Sequence, residues 1–154
     1  MSLARDVLEK AAAAQMMITA AESCTGGMVM AALTDIPGSS SVVERGFVTY
    51  SNAAKTEMLG VKPATLAAHG AVSEEVAAEM ARGALAASQA QLAVSVTGIA
   101  GPGGSEHKPE GRVCFGVARG ETVQTETVEF GARGRDTVRV AARDHALRLL
   151  LDGL

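Results

Sequence analysis

Hydrophobic and polar residues alternate along the chain in patterns that predict helices and strands in turn. Apolar residues at helical spacing, with caps and stop signals at their ends, predict helices over 3–14, 28–36, 51–60, 63–70, 73–88 and 134–152. Short apolar or β-branched runs predict strands over 16–20, 41–50, 92–98, 112–119 and 122–130. Gly120-Glu121 joins the last two strands as a hairpin.

This order of elements predicts an α/β fold. We expect a three-layer α/β/α sandwich with a mixed, partly parallel sheet, and a C-terminal hairpin followed by a helix. Neither an internal repeat nor a long linker divides the 154 residues. A chain of this length suits one hydrophobic core, so we expect a single domain over residues 1–154.

Composition and charge narrow the classes of partner. The chain is 47% hydrophobic and 3% aromatic, which favours a core of small and aliphatic side chains, and its net charge is −3. Because non-specific nucleic-acid binding needs a basic face, we expect no nucleic-acid partner. No apolar run approaches the ~20 residues that span a bilayer, so we expect no membrane partner.

Cysteine and histidine usage points to a reducing compartment and away from metal. Cys24 and Cys114 lie far apart and lack metal-ligand spacing, and the N-terminus lacks the pattern of a signal peptide. These features together predict a cytoplasmic protein with free thiols. His69, His107 and His145 are isolated in the sequence, so we expect no metal site.

Three polar loops follow predicted strands. They are "AESCTGG" (21–27), "TYSNAAK" (49–55) and "TGIAGPGG" (97–104). In open α/β sheets, ligands bind outside the carboxyl ends of the strands. We therefore expect the three loops to converge on one ligand site.

The first loop places two types of nucleophile side by side, Ser23 and Cys24, and contains no evident base. It leads into a predicted helix, so the backbone N–H groups of Thr25, Gly26 and Gly27 would face a bound anion or oxyanion. The alternative is that Ser23 or Thr25 only caps the helix. The loop by itself supports both interpretations.

The second loop supplies Tyr50, Asn52 and Lys55. A lysine that acts as a general base has to be neutral near pH 7, which requires its pKa to fall by roughly three units. Burial can lower the pKa of a lysine that far. The alternative is an ordinary surface lysine that extends from a short helix.

The third loop is rich in glycine but has neither the P-loop spacing nor the dinucleotide-binding spacing. Its N–H groups would still suit a phosphate or a carbonyl oxygen. The neighbouring string "SEHK" (105–108) has the S-x-x-K spacing of penicillin-recognising enzymes, yet it lies between Gly104 and Pro109 without their partner motifs. We therefore assign this string no catalytic role.

Together these segments resemble the CinA carboxy-terminal domain family. The resemblance rests on motifs that occur in order between position 21 and about 139: "AESCTGG", "FVTYSNAAKTEMLGV", "HGAVSEEVAAEMARGAL", "SVTGIAGPGG" with "KPEG", and "RDTVR". Many family members carry a large amino-terminal domain before this region. The present sequence begins almost directly at the resembling region, so we expect no activity of that other domain.

The characterised activity of the family is nicotinamide mononucleotide deamidation, carried out by its PncC-type amidohydrolases. The resemblance therefore implies hydrolysis of the carboxamide of nicotinamide mononucleotide to nicotinic acid mononucleotide and ammonia, without cofactor or metal. It implies that Ser23, from "ESCTGG", is the nucleophile and that Lys55, from "YSNAAK", is its base. It also implies that Tyr50 lines the site and assists proton transfer, and that Cys24 is only a neighbour.

Amide hydrolysis also needs oxyanion donors, and a nucleotide substrate needs contacts that hold it. We expect the donors to come from the stretch Thr25 to Gly27. Arg135 is our choice for the phosphate because a guanidinium suits bidentate phosphate contact, and a solvated helix arginine is the alternative. The expected substrate-binding set is Thr25, Gly26, Gly27, Asn52, Thr97, Gly98, Gly101, Gly103, Gly104 and Arg135.

Two other functions stay open at this point. A catalytically silent nucleotide-binding or regulatory module would keep the pocket without turnover, and a thiol enzyme would use Cys24. Because small enzymes with alanine-rich helices often bury one face in a partner, we also expect a homo-oligomer.

Overall fold

The chain forms six helices and five strands in a computed structural model that describes residues 2–154. The helices are α1 (Leu3–Ala13), α2 (Met28–Thr34), α3 (Asn52–Leu59), α4 (Pro63–His69), α5 (Glu74–Ala86) and α6 (Arg135–Gly153). The strands are β1 (Ile18–Glu22), β2 (Phe47–Val48), β3 (Leu92–Gly98), β4 (Arg112–Arg119) and β5 (Thr122–Glu129). No helix within residues 2–154 has the length and apolar character needed to cross a membrane.

The five strands form one mixed sheet in the order β2-β1-β3-β4-β5. β1 is parallel to both β2 and β3, whereas β4 and β5 continue the sheet antiparallel. Glu22 at the end of β1 lies opposite Val48 of β2 and Val96 of β3. The carboxyl ends of the three parallel strands therefore meet at one edge, which brings the three polar loops together.

Helices cover both faces of this sheet. α1, α2 and α6 bury residues such as Val7, Leu33 and Leu150 against one face. α3, α4 and α5 cover the other face, where Val76 and Met80 of α5 pack in a second apolar cluster. The predicted three-layer α/β/α sandwich with a mixed sheet and a final hairpin and helix is confirmed.

The segment 41–50 departs from its predicted strand. Only Phe47–Val48 pairs with β1, while Ser39–Ser41 form a 3-10 turn and Val43 makes a single bridge to Ile18. The prediction of a ten-residue strand is therefore wrong in length.

Packing explains why this segment does not extend as a strand. Val42 is buried in the core cluster of the α1, α2 and α6 face. The Gly46 backbone approaches the Met30 side chain of α2 so closely that a Cβ atom at Gly46 would lie 2.5 Å from Met30 Cγ. The β-branched residues of this segment therefore pack against helices. Strand propensity by itself does not distinguish this packing from pairing in a sheet.

A glycine sets the distance between α5 and α3, the helix that carries Lys55. A Cβ atom added at Gly83 would collide with the carbonyl group of Leu59, the last residue of α3. The backbones of the two helices can approach this closely only because Gly83 has no side chain.

We expect Gly83→Ala to destabilise the protein, by roughly 1–3 kcal/mol, because the added methyl group overpacks the contact with α3. A glycine-to-alanine change in an unconstrained helix has the opposite sign and stabilises by about 1 kcal/mol. Urea unfolding followed by circular dichroism measures the difference. A higher unfolding midpoint in the variant would contradict the close packing.

Candidate active site

The three polar loops border one cavity of about 350 Å³. Its wall includes Ser23 and Cys24 from the first loop, and Arg135 reaches it from the start of α6. Of the residues predicted for the site, the cavity brings together Ser23, Tyr50, Asn52, Lys55, Thr97, Gly98, Gly101, Gly103, Gly104 and Arg135. Thr25, Gly26 and Gly27 do not line it. Ala71, Val72 and Glu106 also form part of the wall, although no sequence pattern had indicated a site role for them.

Lys55 lies next to Ser23 at the bottom of this site. The lysine is 1% exposed, and its Nζ lies 3.0 Å from Ser23 Oγ. Nζ also donates to the carbonyl oxygens of Thr49, at 3.1 Å, and Tyr50, at 3.4 Å. Ser51 caps α3 by accepting from the Ala54 N–H at 3.0 Å, which fixes the start of the helix one turn before Lys55.

Burial lowers the pKa of Lys55, because it disfavours the charged form, and the negative charge of Glu106 opposes that shift. Glu106 forms no salt bridge with the amine among residues 2–154. A neutral amine has two N–H donors and one lone pair. The two carbonyl oxygens suit the donors, which leaves the lone pair for the Ser23 hydroxyl.

Glu22 holds the turn that follows Ser23. Its carboxylate is fully buried and accepts from Thr25 Oγ1 at 2.6 Å and from the N–H groups of Gly27 at 3.2 Å, Val29 at 2.9 Å and Met30 at 3.1 Å. The first turn of α2 is thus capped by the protein's own carboxylate, which the positive end of the helix dipole also favours.

The Gly26 and Gly27 N–H groups, which were predicted as oxyanion donors, have acceptors within the protein. The Gly26 N–H donates to the Ser23 carbonyl at 3.0 Å, and the Gly27 N–H donates to Glu22, so neither glycine offers a donor to the cavity. The N–H groups of Cys24 and Thr25 find no acceptor among residues 2–154. Of these two residues, Cys24 lines the cavity.

Arg139 of α6 contacts the same loop from the other side. Its Nε donates to the Cys24 carbonyl at 3.0 Å, and Nη2 donates to the Thr25 carbonyl at 3.4 Å. Arg139 was not among the predicted site residues, although "RDTVR" contains it. One available signal was its position four residues after Arg135, which places both arginines on one helix face.

Arg135 connects two of the three loops. Its Nη1 donates to the Gly101 carbonyl at 2.8 Å, and its Nη2 donates to the Tyr50 hydroxyl at 3.0 Å. Arg135 is thus held at the cavity by protein groups. Tyr50 is 63% exposed, and it approaches Lys55 through its carbonyl oxygen while its hydroxyl lies at Arg135.

The glycine-rich loop keeps its shape through contacts with neighbouring residues. Thr97 Oγ1 donates to the Ala71 carbonyl at 2.8 Å, so this hydroxyl supports the cavity wall. The Gly103 N–H donates to Glu110 at 2.6 Å. Gly101 has a φ of +93°, a conformation that favours glycine.

The Cys24 thiol is poorly suited to act as a nucleophile. Burial raises its pKa to about 12, so the group is protonated at neutral pH. A thiolate is the nucleophilic form of cysteine. Cys24 nevertheless lines the cavity beside Ser23.

Among residues 2–154, no three His, Cys, Asp or Glu side chains come together in a way that could hold a metal ion. The "SEHK" string forms a tight turn in which Lys108 Nζ donates to the carbonyl oxygens of His69, at 2.6 Å, and Val72, at 2.5 Å. Lys108 therefore serves as an anchor for this turn.

We expect Glu22→Ala to lower the free energy of unfolding by about 3 kcal/mol or more, because it leaves three N–H groups and the Thr25 hydroxyl without their acceptor. Urea unfolding measures this loss. Glu9→Ala is the matched control, because it removes the same charge from an exposed position on α1. Equal unfolding midpoints for the two variants would show that Glu22 does not stabilise the loop.

Comparisons with known proteins show which proteins the chain resembles. The chain is 53% identical over 153 residues to the nicotinamide-nucleotide amidohydrolase PncC of Escherichia coli K12, a match that covers 97% of this chain and 92% of that protein. It is 54% identical to a CinA-like protein of Chlorobium phaeobacteroides BS1, covering 89% of this chain and 34% of that longer protein.

Solved structures show the same fold. The competence/damage inducible protein CihA from Agrobacterium tumefaciens superimposes with a TM-score of 0.94 at 47% identity, covering 97% of this chain and 92% of that one. A competence-damaged protein (CinA) superfamily structure from Escherichia coli gives 0.94 at 35% identity, covering 99% and 91%. The sequence model of the CinA C-terminal domain matches residues 1–154. The chain therefore belongs to the CinA C-terminal domain family.

Proposed function

We propose that this protein is an amidohydrolase that converts nicotinamide mononucleotide to nicotinic acid mononucleotide and ammonia. The observation that carries the proposal is the buried Lys55 amine 3.0 Å from the Ser23 hydroxyl, inside a cavity formed by three loops. The name of the PncC relatives, at 53% identity, supports an amidase that acts on a nicotinamide nucleotide. The cavity volume of about 350 Å³ falls within the usual range for small-molecule sites.

The first half of the reaction forms an acyl-enzyme. Ser23 Oγ attacks the carboxamide carbon while the neutral Lys55 amine accepts the hydroxyl proton. The carbonyl oxygen of the substrate becomes a tetrahedral oxyanion. The C–N bond then breaks, and the Lys55 ammonium returns the proton to the departing nitrogen, which leaves as ammonia.

The second half uses water. Lys55, neutral again, accepts a proton from a water molecule that attacks the ester carbon. The C–O bond to Ser23 breaks, and the serine oxygen regains its proton from the lysine. The products are the carboxylate of nicotinic acid mononucleotide, one proton and the free enzyme.

Lys55 can serve as a base because its surroundings favour the neutral amine. Burial lowers its pKa, and the carbonyl oxygens of Thr49 and Tyr50 orient its two N–H groups. The hydroxyl of Tyr50 lies at Arg135, away from the proton path. We therefore assign Tyr50 to the positioning of Lys55 and Arg135, which revises its expected part in proton transfer.

We assign oxyanion stabilisation to the backbone N–H group of Cys24. Cys24 follows the nucleophile directly and lines the cavity, and its N–H lacks an acceptor among residues 2–154. Arg139 binds the Cys24 carbonyl and so helps to hold the residue that presents this donor.

The nucleotide part of the substrate would occupy the wall formed by Asn52, the glycine-rich loop and Arg135. Arg135 uses two donors for Gly101 and Tyr50 and keeps others for a phosphate. Self-association and the cytoplasmic location stay predictions from the sequence. A silent binding module is the alternative, and the paired Ser23 and Lys55 favour turnover over it.

We expect Ser23→Ala to reduce ammonia release from nicotinamide mononucleotide by about a thousandfold or more, since the attacking oxygen is removed. Lys55→Met should reduce it by at least about a hundredfold, because no base remains. Lys62→Met is the matched control and should retain full activity, as Lys62 is exposed before α4. Full activity in either site variant would refute the mechanism, and binding without turnover in the unaltered chain would support the silent module.

We expect Cys24→Ala to retain ammonia release to within about tenfold, because a protonated buried thiol takes no part in the attack. The assay is the same, with circular dichroism as the check on folding. Loss of turnover in a folded Cys24→Ala protein would establish a thiol mechanism in place of the serine mechanism.

A further inference from the structure

The turn that contains "SEHK" places a carboxylate on the wall of the cavity. Ser105 and Lys108 pair through two backbone hydrogen bonds, of 3.0 and 2.8 Å. Between them, Glu106 and His107 have φ values of +52° and +64°. This is the left-handed geometry of a two-residue hairpin turn, which glycine, asparagine and aspartate usually occupy. A glutamate held in this unfavourable conformation points to a functional constraint.

The turn is fixed against the segment before α5. Lys108 Nζ donates to the carbonyl oxygens of His69 and Val72, which tie the turn to that segment. The Glu106 carboxylate packs over Gly70, and a Cβ atom at Gly70 would collide with one of its oxygens. Glu106, Ala71 and Val72 consequently form one continuous part of the cavity wall.

The Glu106 carboxylate keeps its hydrogen-bonding capacity for a ligand. It forms no hydrogen bond or salt bridge with another side chain among residues 2–154. Lys108, the neighbouring cation at Gly70, lies beyond salt-bridge distance and donates to two carbonyl oxygens. The Glu106 charge also acts at Lys55, where it opposes the effect of burial on the pKa of that amine. Glu106 thus contributes a negative charge to the cavity wall near Lys55.

We infer that Glu106 determines specificity for ligands whose ring carries a positive charge. This inference rests on the proposed function, because the nicotinamide ring of the mononucleotide is bonded to ribose through its nitrogen and is a pyridinium cation. The reduced, dihydropyridine form of the same nucleotide has a neutral ring and the same carboxamide. Glu106 would favour the cation, and it would repel the carboxylate that hydrolysis creates on the ring.

The test compares these two ligands in binding and turnover. Calorimetry on the Ser23→Ala protein gives the Kd of nicotinamide mononucleotide and of its reduced form, with and without Glu106→Gln. We expect Glu106→Gln to weaken binding of the cationic form about five- to tenfold, which is the effect expected from losing one charge pair at a hydrated surface. Binding of the reduced form should change less than twofold. In the protein that retains Ser23, Glu106→Gln should raise the KM for ammonia release from nicotinamide mononucleotide by a similar factor.

Two further variants separate charge from shape. Glu106→Asp keeps the carboxylate and should keep most of the selectivity. Glu121→Gln removes the same charge at the β4–β5 turn, at the other end of the sheet, and should leave both ligands unaffected.

The outcomes separate this inference from the function itself. If Glu106→Gln weakened the binding of both ligands equally, or of neither, the inference about Glu106 would be overturned. Ammonia release by the wild-type protein would still uphold the proposed function in that case. Absence of both binding and ammonia release in the wild-type protein would overturn the two together.

Discussion

A buried amine beside a hydroxyl is the constraint on which the rest of the site depends. Lys55 is 1% exposed and has no carboxylate partner within salt-bridge distance among residues 2–154. An isolated buried ammonium is strongly unfavourable, so the neutral amine is favoured. That form needs acceptors for its N–H groups, and two backbone carbonyls supply them. The close contact between α3 and α5 at Gly83 keeps the lysine in place.

Glu22, the second buried ionisable group, is satisfied in the complementary way. Lys55 is held by carbonyl oxygens, whereas the Glu22 carboxylate is held by N–H groups of the α2 start and by the Thr25 hydroxyl. Ser23 directly follows Glu22 in the sequence and lies beside Lys55 in space. Because backbone groups hold both side chains, Ser23 and Lys55 keep their relative positions through contacts within the protein.

The sequence predicted the layers and the meeting of three loops because hydrophobic periodicity and strand order are local properties. The prediction was less successful in segment 41–50, where a β-branched pattern fits either a strand or residues that pack in the core. In the fold, these residues pack in the core. The prediction also placed Glu22 in a polar loop, although this residue ends a buried strand. Ser23 and Lys55 came from motif resemblance, since spacing alone also allowed a helix cap and a surface lysine.

By itself, the sequence determined the order of helices and strands, and with it the edge of the sheet where chemistry-bearing side chains gather. Only the tertiary structure decided which donors stay free and which charges face the cavity. Arg139 reaches Cys24 across 115 positions, and Lys108 reaches His69 across 39. Such contacts depend on packing between distant segments, which local propensity does not encode, so the unpaired Cys24 N–H and the position of Glu106 on the cavity wall emerge only in the folded chain.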